Sequence, residues 1–309
     1  MTGAAASPVE VPARLVRTAL RWCGEEAARP WLAGLPEAAA EFLARWELSP
    51  ERLVLPGGAL SLTFLVRRAD GTPATLKLGF VDRYTAHEAD ALSIWDGRGA
   101  VRLLEAEPER GALLLERLQP DVSLRSLPED RAMLEAVEVL RRLWVPAPEG
   151  SPIDLVADRA GYWTESMPRR FAELGEPCPK ALLDEAVSLC TELAGSQEQT
   201  VVLHTDCHHG NVLAGERAKW LAIDPRPMLG EPAFDLGPLV RDRLMTVVAE
   251  TRPQAVVRRR VTWLANSLDL DVERVRGWAL VQALALGLWC LSVHDSTGED
   301  LLSVAEWLA

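Results

Sequence analysis

The chain has 309 residues, 48% of them hydrophobic, with 45 acidic side chains against 33 Lys and Arg. The formal charge of −12 argues against a nucleic-acid partner, whose backbone demands a basic surface. It suits a cationic small-molecule substrate, or simply keeps the protein in solution. This length and apolar share fit a soluble globular protein of one large or two smaller domains.

No uncharged apolar run reaches the roughly eighteen residues that would suggest a membrane span. Ala4 to Ala6 lack the basic flank and apolar core of a signal peptide. Five cysteines (Cys23, Cys178, Cys190, Cys207 and Cys290) are odd in number and show no paired spacing. Reduced thiols in a cytoplasmic protein are expected, with no obligatory protein partner.

Residues 10–47 read as helical. Leu15, Ala19, Trp22 and Cys23 recur at helical spacing, Phe42, Leu43 and Trp46 repeat it, and Pro30 and Pro36 are expected to break the segment. From Arg52 the period changes to two. Leu53 and Leu55 alternate, Pro56-Gly57-Gly58 turns the chain, and Ser61 to Val66 reads as a second strand. Asp70-Gly71 forms a hairpin turn into a third strand, Pro73 to Leu78.

A strand, glycine turn and strand can lay backbone N–H groups over phosphates, which makes Gly57, Gly58 and Ser61 candidate nucleotide contacts. The signature G-x-G-x-x-G is absent, and a plain hairpin turn explains the same residues. Lys77 lies between Leu76 and Leu78, which are read as outward, and so shares the opposite face. Kinases place a phosphate-binding lysine on this strand, whereas an edge-strand lysine in solvent is the plain alternative. Glu88 lies within the helical stretch Thr85 to Leu92 and can pair with Lys77, or is a solvated helical Glu; Asp90 points elsewhere.

Val101 to Leu104 and Ala112 to Leu115 read as two further strands about the turn Glu109-Arg110-Gly111. Leu113 to Leu118 then leaves the sheet. In a kinase this segment is the hinge that reads adenine through its backbone, so Glu116 and Leu118 are nucleotide candidates without any side-chain signature. Gln119-Pro120-Asp121 looks like a linker between lobes. Beyond it the chain is mostly helical: Glu129 to Leu143, with Met133, Val137, Leu140 and Leu143 on one face, then 153–174, 180–195, 233–250, 253–268, 271–293 and 299–308. Val257 to Arg260 reads as a solvated basic face. The expected architecture is α+β: a two-lobed, protein-kinase-like fold, with a small five-stranded N-terminal lobe (1–118) and a mainly helical C-terminal lobe (119–309). A nucleotide would lie at their boundary.

The chemistry concentrates in Val201 to Leu213 and Trp220 to Pro225, read as strand, polar loop, strand, turn, strand. Asp206 and Asn211 share the loop five positions apart, and Asp224 ends the next apolar strand. Phosphoryl transfer needs a base beside the attacking hydroxyl and oxygen ligands for Mg²⁺ beside the phosphates. The protein-kinase catalytic loop spaces its Asp and Asn in the same way. The competing chemistry is zinc, through His204, Cys207, His208 and His209. Adjacent histidines tend to point apart, and His87 and His294 stand alone, so no second ligand cluster exists.

Leu203-His204-Thr205-Asp206-Cys207-His208-His209-Gly210-Asn211-Val212-Leu213 resembles the loop His-Gly-Asp-Leu-His-x-Gly-Asn of aminoglycoside phosphotransferases. Trp220 to Pro225 and Gly230 to Leu236 look more narrowly like the streptomycin 6-phosphotransferase and hydroxyurea phosphotransferase branch. So do Trp31 to Pro36, Arg45 to Leu48, Asp70 to Leu78, Val101 to Leu104 and Leu113 to Leu118; the likeness runs from about Trp31 to the final helices. The resemblance implies ATP and Mg²⁺ as cofactors and Asp206 as the base. It implies Asn211 and Asp224 as metal ligands, Lys77 as the phosphate lysine and Glu88 as its partner. Asp235 and His204 would be framework residues.

The resemblance further implies a small cationic acceptor, streptomycin at its 6-hydroxyl first and hydroxyurea as an alternative. Glu231, Asp242, Glu299 and Asp300 could meet such a cation, or could be surface acids. Thr205 stands where the family has Gly, and Cys207 where it has Leu. A Thr is expected to need an ordinary φ, which would seat the loop differently.

Overall fold

The computed structural model describes residues 10–309; the opening stretch with Ala4 to Ala6 lies outside the described residues. The chain enters through α1 (Ala13–Arg45). Its interruption is not at Pro30 or Pro36 but at Gly24, where φ is 77° and ψ is 158°. Each proline forfeits one helical hydrogen bond. Burial of Leu15, Ala28, Leu35, Ala39 and Phe42 holds the helix through both. The break falls on glycine because that conformation is closed to residues with a Cβ.

Under α1 lies an antiparallel sheet of five strands in the order β1-β2-β3-β5-β4. They are β1 (Ser49–Leu53), β2 (Ser61–Arg67), β3 (Pro73–Gly79), then α2 (Glu88–Trp95), β4 (Leu103–Glu107) and β5 (Ala112–Glu116). Ala74, Leu76 and Leu78 of β3 face α1 and join Leu35, Ala39 and Phe42 in one core. Those leucines are therefore inward, not outward as expected. β3 is also central, with Lys77 opposite Thr63 of β2 and Leu113 of β5, so Lys77 is no edge-strand lysine. β4 starts two residues later than expected because Val101 donates its N–H to Ala222 (2.9 Å) across the lobe boundary.

The chain after the hinge is not a bare linker. β6 (Gln119–Ser123) pairs with β8 (Val212–Ala214), and β8 pairs with β9 (Trp220–Ala222). Between them in sequence come α3 (Glu129–Leu143), α4 (Val156–Glu173), α5 (Lys180–Gly195) and β7 (Val201–Leu203); β7 pairs with β10 (Met228–Gly230). The single helix expected over 233–250 is instead a 3₁₀ turn (Pro232–Leu236), α6 (Gly237–Val240) and α7 (Leu244–Val248). The break at Asp242-Arg243 has a tertiary cause. Asp242 accepts the N–H of His209 and of Arg243, both at 2.7 Å, while Arg243 donates to the Leu124 and Leu127 carbonyls.

α8 (Pro253–Leu268), α9 (Val272–Ser292) and α10 (Thr297–Leu308) complete the fold. α9 is long and apolar enough to cross a membrane by length and composition, but it is mostly buried as the core helix of this lobe. Arg260 of α8 is also buried rather than solvated. It bonds the Val240 and Asp242 carbonyls and Glu129.

Candidate active site

β7 is buried at all three residues and delivers the chain to His204, where the polar loop begins. Asp235, with no exposed surface, accepts from the backbone N–H of His204 (3.1 Å) and Thr205 (2.6 Å) and from Trp144 Nε1 (2.9 Å). Three donors on one buried carboxylate fix the start of the loop. His204 Nε2 lies 3.0 Å from the Ile223 carbonyl, and its Nδ1 accepts from the Asp206 N–H at 3.3 Å. That pattern is a neutral imidazole protonated on Nε2. Burial holds its pKa below the usual histidine value, against the pull of Asp235 and Asp206.

Thr205 takes φ +57°, so the expectation of an ordinary φ and a shifted loop fails. A left-handed threonine is strained. It is held there by its N–H on Asp235 and by its hydroxyl, which donates to the Arg226 carbonyl at 2.5 Å. Cys207 is fully buried and serves as packing.

Asp206 stays partly exposed, and its Oδ2 lies 3.5 Å from Arg226 Nε. Asn211 donates Nδ2 to the Asp206 carbonyl at 3.0 Å, which leaves its Oδ1 as an acceptor for another group. Asn211 also takes the Ile223 N–H on its own carbonyl, 2.9 Å away, so the loop is tied to the strand end that carries Asp224.

The neighbouring histidines are spent on structure. His208 Nδ1 accepts the Gly210 N–H at 3.0 Å, and buried His209 Nδ1 lies 2.8 Å from Asp242 Oδ2. Burial alone would raise the Asp242 carboxyl, but the hydrogen bonds from His209 hold it well below the usual range. Among the described residues no three His, Cys, Asp or Glu side chains are placed to share a metal ion, which removes the zinc alternative. The oxygens of Asn211 and Asp224 fit a hard cation that takes its remaining ligands from phosphates and water.

From the other lobe, Lys77 donates to both carboxylate oxygens of Glu88 at 2.6 Å and also to Asp224. Lys77 and Glu88 are buried, and 43% of the Asp224 side chain remains accessible. Burial pushes the Lys77 ammonium down, but Asp224 and Glu88 outweigh it and keep it charged. Burial lifts Glu88 to about 6 despite Lys77. Asp224 is likewise lifted by burial, yet Lys77 brings it down to about 2.

Ser61, Lys77, Asp82, Glu88, Asp224 and Arg226 line one cleft between the lobes, whereas Asp206 and Asn211 are outside its lining. Gly57 and Gly58 lie outside that lining. They make a tight turn in which a Cβ at position 58 would stand 2.2 Å from Ser61 Oγ. Glu116 and Leu118 are also outside it. The Glu116 carboxylate holds Arg217 at 2.6 Å and accepts the Arg102 N–H at 2.9 Å, while the Leu118 side chain is buried.

The family described as aminoglycoside/hydroxyurea antibiotic resistance kinase matches residues 45–293. The chain belongs to this family. It is 40% identical to a streptomycin 6-kinase of Streptomyces glaucescens over 91% of each chain. It is 39% identical to a hydroxyurea phosphotransferase of Kitasatospora aureofaciens, over 91% of this chain and 80% of that one. Among solved structures, a thermostable mutant of the aminoglycoside phosphotransferase APH(4)-Ia, in ternary complex with ADP and hygromycin B, superposes with a TM-score of 0.57. It covers 87% of this chain and 95% of that one at 15% identity. A choline/ethanolamine kinase family protein from Mesorhizobium loti gives 0.55 at 17% identity, covering 88% and 91%. At that identity the likeness is one of fold: a β-sheet lobe followed by a helical lobe.

Within this resistance-kinase framework, two of the acids expected as cation partners are unavailable. Glu231 is buried and saturated by Arg274 (2.6 Å to each oxygen) and by Trp278 Nε1, and Asp242 is held by His209. Glu299 and Asp300 sit in the first turn of α10. The sequence reading missed Asp82 and Arg226. Asp82 caps the turn before α2 by accepting the Tyr84 and Thr85 N–H groups (2.7 and 3.0 Å). For Arg226 a signal existed in its place between Pro225 and Pro227, two residues after Asp224.

Proposed function

We propose that this chain is an ATP-dependent kinase that transfers the γ-phosphoryl group to a hydroxyl of a small molecule, with streptomycin, at its 6-hydroxyl, as the first candidate acceptor. The observation that carries this reading is the bonded path Glu88–Lys77–Asp224 across the lobe boundary, with Arg226, two residues beyond Asp224, 3.5 Å from Asp206. A phosphate lysine and a cation-ligating acid thereby share one cleft, and Arg226 of the same cleft reaches toward the base. Identity near 40% to a streptomycin 6-kinase over almost the whole chain supports the acceptor class.

In this reading the nucleotide lies between lobes 1–118 and 119–309. Lys77, steered by Glu88, takes the phosphates, and the turn at Gly57, Gly58 and Ser61 covers them. The backbone of Glu116 and Leu118 meets the adenine. Asn211 Oδ1 and the Asp224 carboxylate hold Mg²⁺, which neutralises charge on the phosphates when bound. Asp206 accepts the proton of the acceptor hydroxyl, and its fixed loop aims that oxygen at phosphorus. Free thiols, buried at Cys190, Cys207 and Cys290 and half-buried at Cys23 and Cys178, are compatible with a cytoplasmic enzyme.

A second acceptor, small and neutral as hydroxyurea is, is favoured by one observation. Arg83 and Arg159 stack on Tyr84 at 4.7 and 4.1 Å beside Arg226, a poor surface for a polycation. Incubation with Mg·ATP and a panel of streptomycin, other aminoglycosides and hydroxyurea, followed by mass spectrometry of the products, tests both. Transfer to streptomycin is expected; transfer to hydroxyurea alone selects the second acceptor. Nucleotide binding without transfer to any acceptor would leave a non-catalytic binding protein, and absence of nucleotide binding would end the kinase reading.

A further inference from the structure

Arg226 is built in an unusual way. Its backbone is clamped, since its N–H donates to the His204 carbonyl at 3.0 Å and its carbonyl accepts the Thr205 hydroxyl at 2.5 Å. Proline on either side restricts the backbone further. Its guanidinium, by contrast, makes no hydrogen bond to any acceptor among the described residues. The nearest is Asp206 Oδ2, 3.5 Å from Nε, and 40% of the side chain is accessible. The side chain lines the same cleft as Lys77 and Asp224. A cation with a fixed root and free donors therefore stands between the lysine that would hold the nucleotide phosphates and the carboxylate that would take the acceptor proton. Its charge is maintained by Asp206, Asp224 and Asp82, which together outweigh its burial.

Resting on the kinase reading above, we infer that Arg226 is a catalytic residue that grips the γ-phosphoryl group while it is in transit. In the step, the acceptor oxygen forms a bond to Pγ as the bond from Pγ to the β,γ-bridging oxygen breaks. That electron pair leaves on the β-phosphate of ADP, and the hydroxyl proton passes to Asp206. Negative charge on the equatorial oxygens of the moving group lies in the gap between Lys77 and Asp206. A planar fork of five donors is suited to two of those oxygens at once.

Ground-state nucleotide binding belongs to Lys77 and the metal ligands, so removal of Arg226 acts on the transition state. R226A is expected to lower kcat by about 10²–10³-fold, the loss seen when a preorganised donor to a developing anion is removed. Affinity for Mg·ADP should change less than about threefold on the same reasoning. The readout independent of any acceptor is binding of ADP with aluminium fluoride, which mimics the phosphoryl group in flight. Wild type should bind it much more tightly than ADP alone, and R226A should lose that gain. Guanidine added to R226A should restore part of the slow ATP hydrolysis by water, and R226K should fall between the two.

R226A with kcat and aluminium fluoride affinity near wild type would overturn the assignment. So would a loss of turnover accompanied by an equal loss of ADP affinity and no response to guanidine, which is the mark of a structural role. If wild type itself binds neither ADP nor its fluoride complex, the kinase reading is what has failed.

Discussion

Replacing Thr205 tests the strained start of the catalytic loop through the sign of a stability difference. At ordinary backbone angles Ala is more stable than Gly by roughly 0.5–1 kcal/mol, because Gly has more unfolded-state freedom to lose. At φ +57° the order inverts, since a Cβ in the left-handed region costs about 1–2 kcal/mol. The Thr205 hydroxyl bond to the Arg226 carbonyl returns about 1 kcal/mol. T205G thus relieves about 1–2 kcal/mol of strain, loses about 1 kcal/mol of hydrogen bonding and about 0.5–1 kcal/mol of entropy, and should sit within about 1 kcal/mol of wild type. T205A keeps most of the strain without the bond and should fall about 1 kcal/mol below wild type. T205V keeps the branch as well and should be the least stable, by about 2 kcal/mol. Urea unfolding at a common slope reads these differences as midpoints. A T205A midpoint at or above that of T205G would refute the left-handed conformation, and the account of the loop with it.

Three other outcomes follow from the same geometry. D206N should keep nucleotide affinity and lose about 10²–10⁴-fold in turnover, the range for removal of a general base; full turnover would remove Asp206 from that role. Glu88 is lifted from 4.5 to about 6, so between those values the folded state holds a proton that the unfolded state has released. Stability from this group is therefore present below pH 4.5 and lost as pH rises through 6, by roughly 2 kcal/mol in all. Activity runs the other way, because protonated Glu88 no longer steers Lys77. kcat/KM for ATP should fall below about pH 6, and E88Q should abolish that inflection; an unchanged acid limb in E88Q would assign it elsewhere. Finally, Asp224 already holds the Lys77 ammonium. Mn²⁺ alone must displace that cation, whereas Mn²⁺ arriving with ADP offers Lys77 a phosphate in exchange. Titration by electron spin resonance should show weak metal binding that tightens at least tenfold with ADP, and equal affinity with and without nucleotide would contradict the pairing.

Alternation and spacing made the five-stranded lobe, the helices near 180–195 and 253–268, and the loop with its Asp and Asn legible in the sequence. Lys77 shows why more was not: a lone lysine among leucines reads the same on an edge strand as on a central one. Only the pairing of β3 with both β2 and β5 makes it buried and shared. The helix expected over 233–250 failed for a similar reason. Its local pattern is helical, but Asp242 and Arg243 gain more from bonds to His209, Leu124 and Leu127, all remote in sequence. Pro30 and Pro36 are the converse case, with a local signal for breakage overridden by burial of α1 on the sheet. Arg226 escaped notice because a residue's role as an unpaired donor is defined by what surrounds it, not by its own type.

The two halves of the site are set by a single helix. α2 begins with Glu88, which fixes Lys77, and ends with Trp95, which is buried, donates Nε1 to the Leu143 carbonyl at 2.7 Å and stacks on His204 at 6.2 Å. His204 in turn accepts the Asp206 N–H. The phosphate lysine and the base are thus positioned from opposite ends of eight residues whose apolar face joins a core that runs from Leu113 and Leu115 of β5 into the helical lobe. Leu92 and Trp95 cannot leave that core without a cost of several kcal/mol, so α2 holds Glu88 and the His204 contact at a fixed separation, and Lys77 and Asp206 are registered against one another through it.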